Sequence, residues 1–578
     1  MFFPRFTFCC LIVFCAAAQD TRTISEPRFP AVCTVLQARV SAGALNESSL
    51  DTSTIQSALN SCPAGQAVEL AVGGASFLSG ASQPNAFITG ALTLPKGVTL
   101  LIDAGVTLFA SRNPRDYDNS SAQTCGTITS NGGGCSAIIT ANRADGAGIM
   151  GYGTIDGRGY LPMLVNGTPG VTWWDLANQA NTSGGSQNNP RMIQISNTNG
   201  FTLYKITLKN SPNFHVAMGT DQNVTVWGIK IITPYDARNT DGADPGYSSN
   251  VTITQSHISN GDDNVAIGGN NQPGASHISV VDNWFGDGHG ASIGSYTTFG
   301  IANVLFDNIT IAGTQANSNA NGIRIKSDVS RGGLVQHITY SNFCINSVRA
   351  AIVLDPFYTS ATGNQIPLYS DITIRNFHAT SEGTVKLSGH DAANLTTAVL
   401  DNVQIDNIKP SDVTGQYASV QLGPGPVNFA SMIKGTGVTV SGSAGDGSPY
   451  ACPAAVFSPI AGELIPGPQR IVRGKPLSVL VQVFATKTLT YQSYLTQLKT
   501  SPNATFNMPD PTGTVTIYEG TQALASVPAA ALTSVQLPAL TPGTHTFTAS
   551  YSGDLHYAPI TFGEYTVEVL PQPRRTVR

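Results

Sequence analysis

"NVTITQSHI" (residues 250–258) opens on a polar residue and then sets Val or Ile alternately with other side chains. The phrase returns as "NVTVWGIKI" (223–231), "HISVVDNWF" (277–285), "NVLFDNITI" (303–311), "HITYSNFCI" (337–345) and "DITIRNFHA" (371–379). Its starts recur every 26 to 34 residues, a period that suits a solenoid. Each unit reads as short strands separated by Asn/Gly turns with almost no helical periodicity, which matches the coils of a right-handed parallel β-helix. Leucine-rich and propeller repeats fit less well, because their Leu or Trp-Asp signatures are missing. "FTLYKITLKNS" from Phe201 and "AVLDNVQIDN" from Ala398 extend the pattern on both sides.

The composition agrees with an all-β protein of more than one domain. Of 578 residues only 11% are charged, 59 are Gly, and β-branched residues run throughout, which favours strands and turns. A formal net charge of −5 on so long a chain gives no global attraction to nucleic acid or to an acidic membrane surface. Any polyanion must therefore be bound at a local basic site.

The N-terminus "MFFPRFTFCCLIVFCAAAQD" has one Arg, a short apolar run and small residues ending at Ala18. It reads as a secretory signal over residues 1–18, too short in its apolar part to span a bilayer, and it implies a secreted protein, extracellular or periplasmic. Removing it leaves six cysteines, an even number that suits disulfides in an oxidising compartment. Cys33 with Cys62 and Cys125 with Cys135 are the natural local pairs. "STIQSALNSC" (53–62) is the best amphipathic helix, with Ile55, Ala58 and Leu59 on one side, placed to close the open end of a solenoid.

Beyond Cys452 the composition shifts. The β-helix is expected over residues 27–452 and a linker over 453–466, marked by the Pro/Gly-rich "SPIAGELIPGPQ" that begins at Ser458. Alternating strands with regular turns then suggest a small β-sandwich over 467–571. "YSGDLHYAP" (551–559) resembles bacterial immunoglobulin-like repeat domains.

Stacked coils set equivalent positions about 4.8 Å apart in a line. Asp262 lies eleven residues after Val251, and His289 eleven after Ile278, so the two share one ledge, a coil apart. Asp241 of "NTDG" falls a coil earlier. Arg324 and Lys326 of "NGIRIKS" fall a coil later, where strand alternation puts both on one face. Carboxylates on a cleft floor beside a cationic pair suit glycoside hydrolysis, in which one acid holds a proton and another activates water. Crowding favours that division, since neighbouring negative charges raise one group's pKa.

"NTDG", "GDD", "GHG" and "RIK", in this order and at these separations, resemble the polygalacturonase family of glycoside hydrolases, family 28. Supporting similarity runs through "GYGTIDGRG" (from Gly151), "WWD" (from Trp173) and "SPNFHV" (from Ser211). The resemblance implies an inverting hydrolase of α-1,4-galacturonosyl linkages in polygalacturonate and pectin. It implies Asp262 as the general acid, Asp241 and Asp263 holding the attacking water, and His289 supporting the acid. Arg324, Lys326, Tyr358 and Asn239 would bind substrate. Inversion implies the wider separation of acid and base, about 6.5–9.5 Å. No cofactor, metal or nucleic acid is implied, and a monomer is expected.

Taken singly, an Asp in an Asn/Gly-rich loop is a turn residue, and His215, His257, His277, His337 and His378 read as strand residues. Trp173 and Trp174 read as loop packing rather than a sugar platform. Two rivals share the solenoid: a calcium-dependent pectate-lyase-type eliminase, which needs several carboxylates on the metal, and a non-catalytic adhesin, which gives no reason for acids, His289 and cations to be in phase. Because the four-coil strip is complete before the linker, the sandwich is expected to be dispensable for chemistry.

Overall fold

The first residue of every repeat turns the chain. Asn223, Asn250, His277, Asn303, His337 and Asp371 have φ of 58, 53, 57, 57, 56 and 55°, the left-handed region in which Asn, Asp and His are the most tolerated of non-glycine residues. The aliphatic residue that follows points inward. Val224, Val251, Ile278, Val304, Ile338 and Ile372 pair in that order across successive parallel strands, and all are fully buried. Burying each stabilises the stack by about 1.5–3 kcal/mol. Polar ladders run alongside: Asn376 donates to Asn342 and Asn402 to Asn376, both at 3.0 Å.

This computed structural model describes residues 19–73, 84–314, 317–465, 467, 470–488, 490–501, 508–530 and 532–572, so the expected signal at 1–18 lies outside the described residues. The coils form a parallel β-helix. One of its sheets is eleven-stranded, with strands in simple chain order along the axis from Leu92–Thr93 to Val413–Gln416. Helix α1, Thr52–Ser61, buries Ile55 and Leu59, with Ala58 half-buried against the same core. Disulfides join Cys33 to Cys62 and Cys125 to Cys135, as the local spacing indicates. A third, Cys344–Cys452, ties the end of the β-helix segment back to an inner coil.

Trp173 and Trp174 lie at the start of a helix, α2, Trp173–Ser183, not in a loop. Thr172 and Asp175 form its capping box, and both Trp rings are buried. The packing expectation therefore stands, on a different element.

The C-terminal domain is a sandwich of a three-stranded and a five-stranded sheet around Val479, Val481, Val515, Ile517, Phe547 and Val567. It starts earlier than composition indicates. Ile460–Ile465, inside the expected linker, pairs antiparallel with Leu477–Ala485, because Pro459 precedes this strand instead of interrupting it. A helix, α3, Tyr491–Thr500, is inserted after Leu477–Ala485. The sandwich also packs on the β-helix. Glu463 pairs with Lys205 at 2.8 Å and with Lys230, and Gln482 Nε2 donates to the Tyr152 carbonyl at 3.2 Å.

Candidate active site

Five neighbouring strands of the eleven-stranded sheet carry the site. Asp241 precedes strand Ala243–Gly246, Asp262 and Asp263 precede Val265–Ile267, and His289 precedes Ala291–Gly294. Arg324 and Lys326 lie within Asn321–Lys326, and Tyr358 follows Ala350–Asp355. A cavity of about 540 Å³ is lined by all of these and by Asn239, so the structure brings every expected site residue together.

Adjacent aspartates would repel if both faced one environment. Here each has its own partners. The His289 N–H donates to the Asp262 carbonyl at 2.8 Å, and His289 Nδ1 lies 2.8 Å from Asp262 Oδ1. Asn239 Nδ2 donates to Asp262 Oδ2 at 3.3 Å. Asp263 turns the other way: Lys326 Nζ donates to Oδ2 at 2.8 Å, Ser292 Oγ to Oδ1 at 2.7 Å, and Arg324 pairs with Oδ1. Gly261 permits the turn, since a Cβ there would meet the Ala237 carbonyl oxygen at 2.0 Å.

These partners decide where protons reside. Burial pushes the Asp262 carboxyl up, but His289 beside it, with Lys326 and Arg324 behind, outweighs burial and holds it well below the carboxylate range. Burial of Asp263 is likewise outweighed by Arg324 and Lys326, which lower it. Asp241 is pushed well above the usual value, by burial first and then by the charges of Asp262, Asp244 and Asp263. Burial and the same two aspartates, Asp263 and Asp262, raise Asp244. Asp241 Oδ1 and Asp244 Oδ1 are buried without a hydrogen-bond partner among the described residues. Burial first, and crowding by neighbouring aspartates second, therefore raise Asp241 and Asp244, whereas Asp262 is lowered.

Arg324 and Lys326 are buried, and both bond Asp263 rather than facing the groove as free cations. Tyr358 is exposed, with the Lys326 ammonium 5.0 Å from its ring centroid. A ligand atom of each of Asp262, Asp263 and His289 lies within 4.8 Å of the others. The trio suits calcium poorly: two cations already neutralise Asp263, His289 offers nitrogen, and calcium takes oxygen ligands.

Asp244 escaped sequence reading, as did Ser292. The signal for Asp244 was present, because "TDGAD" repeats an acid three residues after Asp241. His215, expected to be a strand residue, lies buried one position before strand Val216–Gly219, and it has a task. Its Nδ1 lies 3.1 Å from the carbonyl oxygens of both Thr240 and Asp241, which anchors the loop that carries Asp241. A second cavity of about 730 Å³ adjoins the first through Arg191, Gln194, Arg238 and Asn239. Residues 131–137 and the end of α2 with residues 184–189 line it.

A parallel β-helix whose sheet floors a groove with paired acids, a histidine and two cations defines a carbohydrate-cleaving hydrolase. Comparison with known proteins gives the particular family. Residues 80–423 match the glycosyl hydrolases family 28, and residues 482–570 match the bacterial Ig-like domain (group 3). A polygalacturonase of Ralstonia solanacearum is 40% identical over 493 residues, spanning 74% of this chain and 91% of its own. An endo-polygalacturonase of Pectobacterium carotovorum subsp. carotovorum is 43% identical over 408 residues, spanning 70% and 94%. The solved polygalacturonase from Erwinia carotovora ssp. carotovora superposes with a TM-score of 0.59 at 40% identity, covering 68% of this chain and 99% of that one. The chain belongs to glycosyl hydrolases family 28 and is a glycosidase. Among the described residues no helix is long and apolar enough to cross a membrane.

Proposed function

We propose that the protein is a secreted polygalacturonase that hydrolyses α-1,4-galacturonosyl linkages of polygalacturonate and pectin with inversion. The observation that carries this reading is the division of the aspartate pair, Asp262 held by His289 and Asn239 at the groove and Asp263 held behind it by Arg324 and Lys326. Asp262, once protonated, gives its proton to the leaving glycosidic oxygen, while Asp241 with Asp263 aligns the water that attacks the anomeric carbon from the opposite face, and Asp263, kept ionised by Arg324 and Lys326, takes up the proton that this water loses. His289 orients Asp262. Asn239, Arg324, Lys326 and Tyr358 contact the sugar units.

The proton must reach Asp262 at the right moment. A galacturonate carboxylate entering beside Arg324 and Lys326 adds negative charge to the cluster and draws on the same cations, which raises the Asp262 pKa and lets it take up a proton. Substrate charge is then part of the acid's activation, and it supports a charged galacturonan over a neutral glycan.

The deciding assay is release of reducing ends from polygalacturonate. Reducing ends should form in the presence of EDTA and without the ultraviolet absorbance of an unsaturated sugar. The α-anomer substrate should give a β-anomer first product by NMR. An EDTA-sensitive, absorbing product would instead identify an eliminase, and no product would leave a binding solenoid.

A further inference from the structure

The C-terminal domain reaches the catalytic loop. Helix α3 begins against Asp236, whose carboxylate accepts from the Tyr491 N–H at 2.6 Å and from the Gln492 N–H at 2.9 Å. Thr490 Oγ1 takes the Ser493 N–H and the Thr490 carbonyl the Tyr494 N–H. Of the N–H groups that a helix start leaves unpaired, those of Tyr491 and Gln492 are thus satisfied by a residue of the other domain and that of Ser493 by the helix's own cap.

Packing follows the hydrogen bonds. Tyr491 and Tyr494 form one buried cluster with Trp174 and Ala237. The Tyr491 ring meets Trp174 edge-on at 5.2 Å, and its hydroxyl lies 3.1 Å from Thr172 Oγ1 and 3.2 Å from Asp175 Oδ2, the capping box of α2. One tyrosine of the sandwich therefore fastens both α2 and the loop over residues 234–242.

That loop continues directly into the chemistry. Ala237, beside Asp236, accepts from Thr240 Oγ1 at 2.7 Å, and Thr240 Oγ1 accepts from the Gly261 N–H at 2.9 Å. Ala237 presses on Gly261 closely enough that no Cβ fits between them. Asn239, which touches Asp262, and Asp241 lie within five residues of Asp236.

We infer that α3 of the immunoglobulin-like domain is a positioning element of the active site, and that Asp236 and Tyr491 are its positioning residues. Through Ala237, Thr240 and Gly261 it fixes where Asn239, Asp241 and Asp262 stand. The chain of contacts is contiguous and packed, the kind of path along which a remote displacement costs turnover. Its effect on turnover rests on the polygalacturonase reading above, whereas its effect on the loop does not.

The test uses the full chain. Asp236→Ala and Tyr491→Ala are compared with wild type and with Tyr491→Phe, which keeps the ring and loses the hydroxyl. Amide hydrogen exchange of residues 234–242 and steady-state kinetics on polygalacturonate are measured for each. Exchange should rise in both alanine variants while the strands of the β-helix keep their protection. kcat should fall by about 10-fold or more, well within what a misplaced group can cost, with KM changing less, and Tyr491→Phe should restore most of both. Unchanged exchange overturns the clasp, and faster exchange with unchanged kcat overturns its catalytic role. If wild type itself releases no reducing ends, the polygalacturonase reading fails and the exchange comparison alone decides the clasp.

Discussion

In the proposed mechanism Asp262 is the residue on which the chemistry turns, and its surroundings make a strict demand. Asp262→Asn keeps the shape and the Asn239 contact but removes the transferable proton. Turnover on polygalacturonate should fall at least about 10²-fold while the thermal unfolding midpoint stays near wild type; retention of a tenth of the activity would remove Asp262 from the acid's role. A second carboxyl tests how burial acts away from the groove. Burial and the neighbouring Glu69 push Asp103 up to about 7. An unfolded Asp titrates near ~3.9, so the folded form holds its proton longer, and the stabilisation this gives is complete below that value and lost as pH rises towards 7. The melting temperature of wild type should therefore decline across this window relative to that of Asp103→Asn. Parallel pH profiles would show that Asp103 is not raised.

At the scale of the element, the coil start is the unit that specifies the fold. A β-branched residue is poorly suited to a left-handed φ, at a cost of roughly 1–2 kcal/mol. Asn303, at φ 57°, provides the test: Asn303→Val should lower stability by about that amount and Asn303→Gly by less, as read from denaturant midpoints at constant m-value. Equal losses would assign the effect to the Asn303 side chain instead. This grammar was legible in the sequence because each turn residue is followed at once by a buried Val or Ile, a local signal repeated six times. The ledge of Asp262 and His289 was legible for the same reason, since in-register coils convert counting into geometry. Ownership of the cations was not. That Arg324 and Lys326 would close on Asp263 depends on which way two adjacent carboxylates turn, and strand alternation alone does not say. Helix α3 was hidden too, because its polar run "YQSYLTQLKT" gains apolar partners from Trp174, Ala237 and Tyr160, more than 250 residues earlier.

Across the whole molecule, the two domains share buried charge as well as apolar contacts. Glu463 of the sandwich is held between Lys205 and Lys230 of the β-helix, and burial of its carboxyl is outweighed by these lysines, which lower its pKa. Removing one partner of a buried pair leaves the other charge uncompensated, at about 3–5 kcal/mol. Wild type should therefore unfold in a single calorimetric transition, and Glu463→Gln should separate the sandwich's transition from that of the β-helix. Two transitions in wild type would mean that the domains melt independently.

The paired strands carry a further consequence, for how such a chain can change over generations. Phe285 faces Ile311 and Ala291 faces Ile323 across neighbouring coils. Six positions separate the first two residues along the chain, and twelve separate their partners. One coil thus holds six more residues than its neighbour between equivalent rungs of the ladder, and Asn319, which lines the cavity with Asp262, lies in that longer stretch. The scaffold behaves as a bookshelf with fixed uprights: mutation can lengthen what stands between two rungs and leave those above and below in place. Novelty in ligand preference can then arise one coil at a time, while the acids and cations of the candidate site keep their spacing.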